Sequence, residues 1–161
     1  MKIGIDFGGV IVKPADGDSP FDPDMGQSIE QTGAIESISK LIKSLNAEVW
    51  IISKASKSTQ IATRSWLSKV GFYQETGFIA SNLLFCSKRT EKRILCEPLG
   101  LTHFIDDSEE VLDVLTGLIP NLFIFGNENA REDLARVVSW QQVLEKLTSK
   151  GNGREKSAPM R

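Results

Sequence analysis

Carboxylates, a hydroxyl and cations recur in this chain directly after short apolar runs. Asp6-Phe7-Gly8-Gly9-Val10 follows the first run, Ser53-Lys54 the second, Ser87-Lys88-Arg89-Thr90-Glu91-Lys92 the third, and Asp106-Asp107-Ser108 the fourth. The set has a chemical logic for phosphoryl transfer. A carboxylate can attack phosphorus and form an aspartyl phosphate, provided the charge of two approaching anions is neutralised. Magnesium does this, held by one or two carboxylates, waters and the phosphate itself; Asp6 and Asp107 could provide the carboxylates. Ser53 and the backbone amides after it, that of Lys54 included, can grip phosphate oxygens, while Lys88 or Lys92 supplies a compact positive charge.

Such groups can cooperate only if the chain brings them to one edge. Five runs read as buried strands: Lys2 to Phe7, Glu48 to Ile52, Leu83 to Cys86, Thr102 to Ile105 and Leu122 to Phe125. They are apolar on both faces and alternate with helical periodicity, the pattern of a parallel sheet covered by helices. Ala34, Ile35, Ile38, Leu41, Ile42 and Leu45 repeat at three and four residues and predict a first helix facing the sheet, with Ser28 and Gln31 at capping-box spacing before it. Ser56 caps a second helix that carries Ala62, Trp66, Leu67 and Val70 and stops at Gly71. A shorter helix follows Thr90 and ends at Gly100. Ser108, Glu109 and Glu110 open another, bearing Val111, Leu112 and Leu115. Asn129 to Glu132 and Ser139 to Gln142 predict two more short helices.

The segment from Lys13 to Asp24 holds three prolines, a glycine and four aspartates, and reads as a loop beside the first strand. The chain is expected to form one α/β domain over 1–148, a mainly parallel five-stranded Rossmann-like sheet with helices on both faces and no separate cap. A polar tail over 149–161 is expected to be disordered. In such a sheet ligands bind at the carboxyl ends of the strands, where all the groups above stand.

In that order and context the four segments resemble the motifs of the haloacid dehalogenase-like (HAD) hydrolase superfamily. The resemblance implies Asp6 as nucleophile and metal ligand, the Gly8 carbonyl as a second metal ligand and Ser53 as phosphate-binding hydroxyl. It further implies Lys92, in preference to Lys88, as the third-motif lysine, Asp107 as metal ligand and Asp106 as support for the lysine. Magnesium is the one cofactor it implies. Phosphatases of the superfamily usually carry a second Asp two residues after the nucleophile, as acid and base for the leaving group and water. Here that residue is Gly8, which keeps a carbonyl but loses the acid, a loss worth roughly 10²- to 10⁴-fold. The leading expectation is a magnesium-dependent phosphomonoesterase working through an aspartyl phosphate. Carbon–halogen or phosphonate cleavage is a lesser reading, and a weak or inactive relative serving as a binding or regulatory module is the main alternative.

The stretches after Val12 and between Ser53 and Lys88 leave no length for a cap, so an open site is expected. It suits a small phosphorylated metabolite or a phosphoprotein, with a second subunit as a possible cover. Composition excludes other classes. With 161 residues, 40% of them hydrophobic, and a net charge of −2, the chain has neither a disordered composition nor a general basic field for nucleic acid or membrane. Cys86 and Cys96 lack metal-ligand spacing and read as reduced thiols. No signal peptide or 18-residue apolar run appears, and a cytoplasmic location is expected. His103, the single histidine, and Trp50, Trp66 and Trp140 read as structural.

Overall fold

The computed structural model describes residues 1–14 and 28–157, with side chains through residue 148. Six strands run parallel: β1 (Lys2–Ile5), β2 (Glu48–Lys54), β3 (Leu83–Cys86), β4 (His103–Asp106), β5 (Asn121–Phe125) and β6 (Ala135–Val137). Their order across the sheet is β3-β2-β1-β4-β5-β6. The chain winds outward from β1 through β2 to β3, then returns beside β1 and winds the other way. The reversal lies between β1 and β4, and the crevice above it is where such a sheet binds ligands.

Alternation along the strands sorts side chains into two layers. Ile3, Ile5, Val49, Ile51 and Ile105 face one side, under α1 (Ala34–Ser39), α2 (Lys57–Lys69), α3 (Phe72–Thr76) and α6 (Trp140–Ser157). Ile52 and Phe104 face the other, under α4 (Glu91–Cys96) and α5 (Glu109–Leu115). Gly4 is paired in register with Phe104, and a Cβ at Gly4 would overlap the Phe104 ring and the Leu101 side chain. The glycine makes room for that ring, so the two central strands pack without strain.

Several helix starts obey the expected chemistry. The Ser56 hydroxyl accepts from the Thr59 amide and the Ser108 hydroxyl from the Val111 amide, each satisfying an orphan donor of a first turn. At α4 the capping group is Glu91 rather than Thr90. Its Oε1 accepts from the amides of Ser87 and Lys88 and from the Ser87 hydroxyl, and these bonds hold its carboxyl below the usual range.

The structure corrects four expectations. The sheet has six strands, not five; β6 leaves no signal in the sequence because Ala135 and Arg136 are exposed and three residues at an edge show no apolar pattern. Asn129 to Glu132 forms turns instead of a helix, and the loop drops straight into β6, so a single helix, α6, closes the described chain. The first helix is capped by Glu30, whose Oε2 accepts from the Ile35 amide, rather than by Ser28, and Gly33 enters it in the left-handed region. After Ser39 that helix widens over Lys40–Ser44, where Leu45 N–H bonds back five residues to Lys40, so Leu45 drifts off the buried face and is 40% exposed.

Between Ser53 and Lys88 the chain is used up by α2, α3, a 3-10 turn (Ala80–Asn82) and β3, leaving no segment there for a separate cap. The loop expected from Lys13, with Asp16, Asp18, Asp22 and Asp24, falls largely on residues 15–27, outside the described residues. The backbone of α6 passes the boundary expected at residue 148, and residues 158–161 also lie outside the description. No helix among the described residues is long and apolar enough to cross a membrane.

Candidate active site

All six strands point the same way, so the residues at their carboxyl ends meet on one edge. Asp6 directly follows β1, Ser53 and Lys54 end β2, Asp106 ends β4, and Asp107 is the next residue. The Asp6 amide still bonds to the Ile105 carbonyl, which fixes the side chain beside Asp106. Lys92 reaches this edge from α4. Its Nζ donates to Asp6 Oδ1 at 2.9 Å and to Asp106 Oδ2 at 2.8 Å, and the side chain is 2% exposed. Burial alone would strip the proton from such an ammonium; the two carboxylates outweigh it and hold Lys92 charged. The other oxygen of Asp106, Oδ1, accepts from the Ser108 amide.

Asp107 completes a group of three carboxylates, Asp6, Asp106 and Asp107, with one oxygen of each within 4.8 Å of the others. One lysine does not balance three acids. Burial first, then the charges of Asp6 and Asp106, push the Asp107 carboxyl up to about 8, and burial together with Asp6 pushes Asp106 up to about 6. Ser53 is buried beside this group in the sheet, with β2 the immediate neighbour of β1.

No protein-family model matches the sequence. Over 115 residues it is 28% identical to a protein of Oceanobacillus iheyensis that carries a provisional nucleotidase name; the match takes in 70% of this chain and 58% of that one, so the chain spans little more than half of this curated relative. A chain of the Pnkp1/Rnl/Hen1 RNA repair complex superposes with a TM-score of 0.58 at 18% identity, over 76% of this chain and 42% of that one. A HAD-superfamily hydrolase of subfamily IA from Geobacter sulfurreducens superposes with a TM-score of 0.61 at 10% identity, covering 89% of this chain and 97% of that one.

The chain has the HAD-like fold.

Within the HAD-like fold the residues predicted from sequence fall into two groups. Asp6, Ser53, Lys92, Asp106 and Asp107 gather at the switch point. Of the two lysines, Lys92 lies between the carboxylates, whereas Lys88 is exposed and its backbone amide serves the Glu91 cap. Lys54 is half-buried at the end of β2, and Arg89 pairs with Glu110 at 3.7 Å. His103 sits at the opposite end of β4, bonded through Nδ1 to the Thr102 hydroxyl and stacked on Phe123.

A divalent cation fits the donor set. Three acids with one ammonium leave excess negative charge, and hard oxygen ligands are what magnesium takes. The turn after Asp6 adds a carbonyl. Phe7 O accepts from the Ile11 amide, Gly9 O from Gln31 Nε2, Val10 O from Trp140 Nε1, Ile11 O from the Gln31 amide and Val12 O from the Gly9 amide. Among the described residues none donates to Gly8 O, the one carbonyl of Phe7–Val12 left over. Gly9 itself has φ +84°, and a Cβ there would run into the Asp107 carboxylate. Asp6, Asp107 and Gly8 are therefore the groups that could hold the ion.

Two of these contacts lay beyond sequence reasoning. Trp140 shows only as an apolar ring and Gln31 only as half of a capping box, yet both donate to the turn after Asp6. Neither spacing nor periodicity could have paired them with residues 130 and 22 positions away.

Proposed function

We propose that this chain is a magnesium-dependent phosphomonoester hydrolase that works through an aspartyl phosphate on Asp6. The observation that carries the reading is the buried Lys92 ammonium bridging Asp6 and Asp106 at the switch point, with Asp107 beside them. A lysine that is merely solvated does not occupy that position.

Lys92 holds Oδ1 of Asp6, which fixes the carboxylate for in-line attack. Magnesium supplies the positive charge that lets two anions approach. The Asp6 carboxylate attacks phosphorus, the ester P–O bond breaks, and the leaving alkoxide takes a proton from solvent because Gly8 offers none. Ser53 Oγ and the Lys54 amide can receive the phosphoryl oxygens, and Asp106 anchors Lys92 from behind. Water then cleaves the acyl phosphate, releasing phosphate and restoring the Asp6 carboxylate. The substrate class is a small phosphorylated metabolite or a phosphoprotein. The nucleotidase name of the relative puts nucleoside monophosphates first among compounds to try.

The test is hydrolysis of an aryl phosphate with and without magnesium, beside Asp6→Asn and an alkyl phosphate. Magnesium-dependent turnover that Asp6→Asn abolishes is expected, with the alkyl ester slower by roughly 10²-fold or more because its leaving group needs the missing acid. Turnover surviving in Asp6→Asn would remove Asp6 as nucleophile. Gly8 also supports a second reading, a binding or regulatory module on the same scaffold. A folded, magnesium-loaded protein inert toward every ester would favour that one.

A further inference from the structure

The side-chain hydrogen bonds to the turn after Asp6, from Gln31 and Trp140, come from segments distant in sequence, and Gln31 reaches the turn twice. Its backbone amide donates to Ile11 O at 2.8 Å, and its side-chain Nε2 donates to Gly9 O at 3.2 Å. The first is ordinary pairing, continuous with Lys13 N–H to Ile29 O. The second is a side chain, half-buried, reaching the glycine whose missing Cβ lets it lie against Asp107. The Gly8 carbonyl shares its peptide plane with the Gly9 amide, which donates to Val12 O at 2.9 Å. Gln31 holds the next plane, that of the Gly9 carbonyl, so the two bonds together pin the dihedrals of Gly9 and keep the Gly8 carbonyl, which no described residue engages, in a set direction relative to Asp107.

We infer that Gln31 is a positioning residue for the ion: its carboxamide holds Gly9 so that the Gly8 carbonyl and the Asp107 carboxylate face the same point. This rests on the phosphatase reading only for its effect on turnover; its effect on ion affinity stands apart from catalysis. Residues that orient ligands without touching a metal typically change affinity or activity by about 10- to 100-fold when altered. Gln31→Met keeps the length and bulk of the side chain and removes the donor, so it separates hydrogen bonding from packing.

The experiment reads thermal melting of wild type, Gln31→Met and Gln31→Ala against magnesium concentration, and kcat and KM for an aryl phosphate. The metal-free melting temperature of Gln31→Met should match wild type. Its magnesium midpoint should rise about 10-fold or more and kcat should fall by a similar factor, with KM for the ester within about twofold. A Gln31→Met protein whose magnesium midpoint equals that of wild type overturns the assignment while leaving the phosphatase reading intact. A wild type whose melting ignores magnesium overturns both. Should Gln31→Ala fail to fold, Gln31→Met carries the comparison alone.

Discussion

Burial acts to strip the charge from Lys92, yet the ammonium stays protonated because Asp6 and Asp106 lie 2.9 and 2.8 Å from Nζ. Such a pair does not have to add stability over an apolar substitute, but breaking it leaves buried charge unmatched. Lys92→Met is expected to cost about 3–5 kcal/mol in urea unfolding. Combining it with Asp106→Asn should cost less than the sum of the two changes, since the second removes an acid the first leaves exposed to repulsion. The cysteines add a pH dependence. Burial pushes the Cys96 thiol up to about 12 and raises that of Cys86. An acid whose folded pKa is raised keeps its proton in the fold where the unfolded chain has lost it, so stability falls as pH rises above about 9. Lys92, raised as well, loses its contribution in the same direction at higher pH. Alkaline denaturation should therefore begin near pH 9, and Cys96→Ala should flatten its first part in melting curves from pH 8 to 11. A profile unchanged by Cys96→Ala would remove the thiol as its cause.

At the scale of elements, the loops that carry chemistry are held by caps and by glycine. Ser108 ends the segment that presents Asp106 and Asp107, and its hydroxyl caps α5. Ser108→Ala is expected to lose about 1 kcal/mol of stability in denaturant unfolding, with the residue 108 amide still bonded to Asp106. Gly9→Ala is a harsher change, since φ +84° strains an alanine by about 1–3 kcal/mol and its methyl group displaces Asp107. Its signature should be loss of the magnesium-induced rise in melting temperature beyond the loss of stability itself. The Ser56 and Ser108 starts were legible because a cap is a local pattern. β6 and the turns at 127–134 were not, because a three-residue edge strand is defined by its neighbour β5 and carries no periodicity of its own.

The described residues form one sheet with helices on both faces, and the last helix among them supports the site from far along the sequence. Trp140 is buried among the first layer and bonds Val10 O at 2.8 Å, while Val143 and Leu147 extend the same face. A chain ending at Ser139 should fail to unfold cooperatively, whereas one ending at Thr148 should melt like the full chain; calorimetry of both separates the helix's contribution from that of residues 149–161. The sequence by itself determined the class of sheet, the start of most helices, and the residue types at each strand end, because apolar runs, caps and the direction of a parallel sheet are local or nearly local properties. It also put a glycine, Gly8, two residues after Asp6, where the proposed hydrolase would lack an acid. The sequence preferred Lys92 to Lys88 only through the resemblance, and the tertiary structure decided that Lys92 is the one that reaches Asp6, since both lysines have ordinary local surroundings and the packing of α4 between β2, β3 and α5 aims one of them inward. Tertiary structure decided, too, that Gln31 and Trp140 hold the turn after Asp6. Those bonds close over separations of 22 and 130 residues, and side-chain donors meeting backbone carbonyls at that range leave no periodic trace in a sequence.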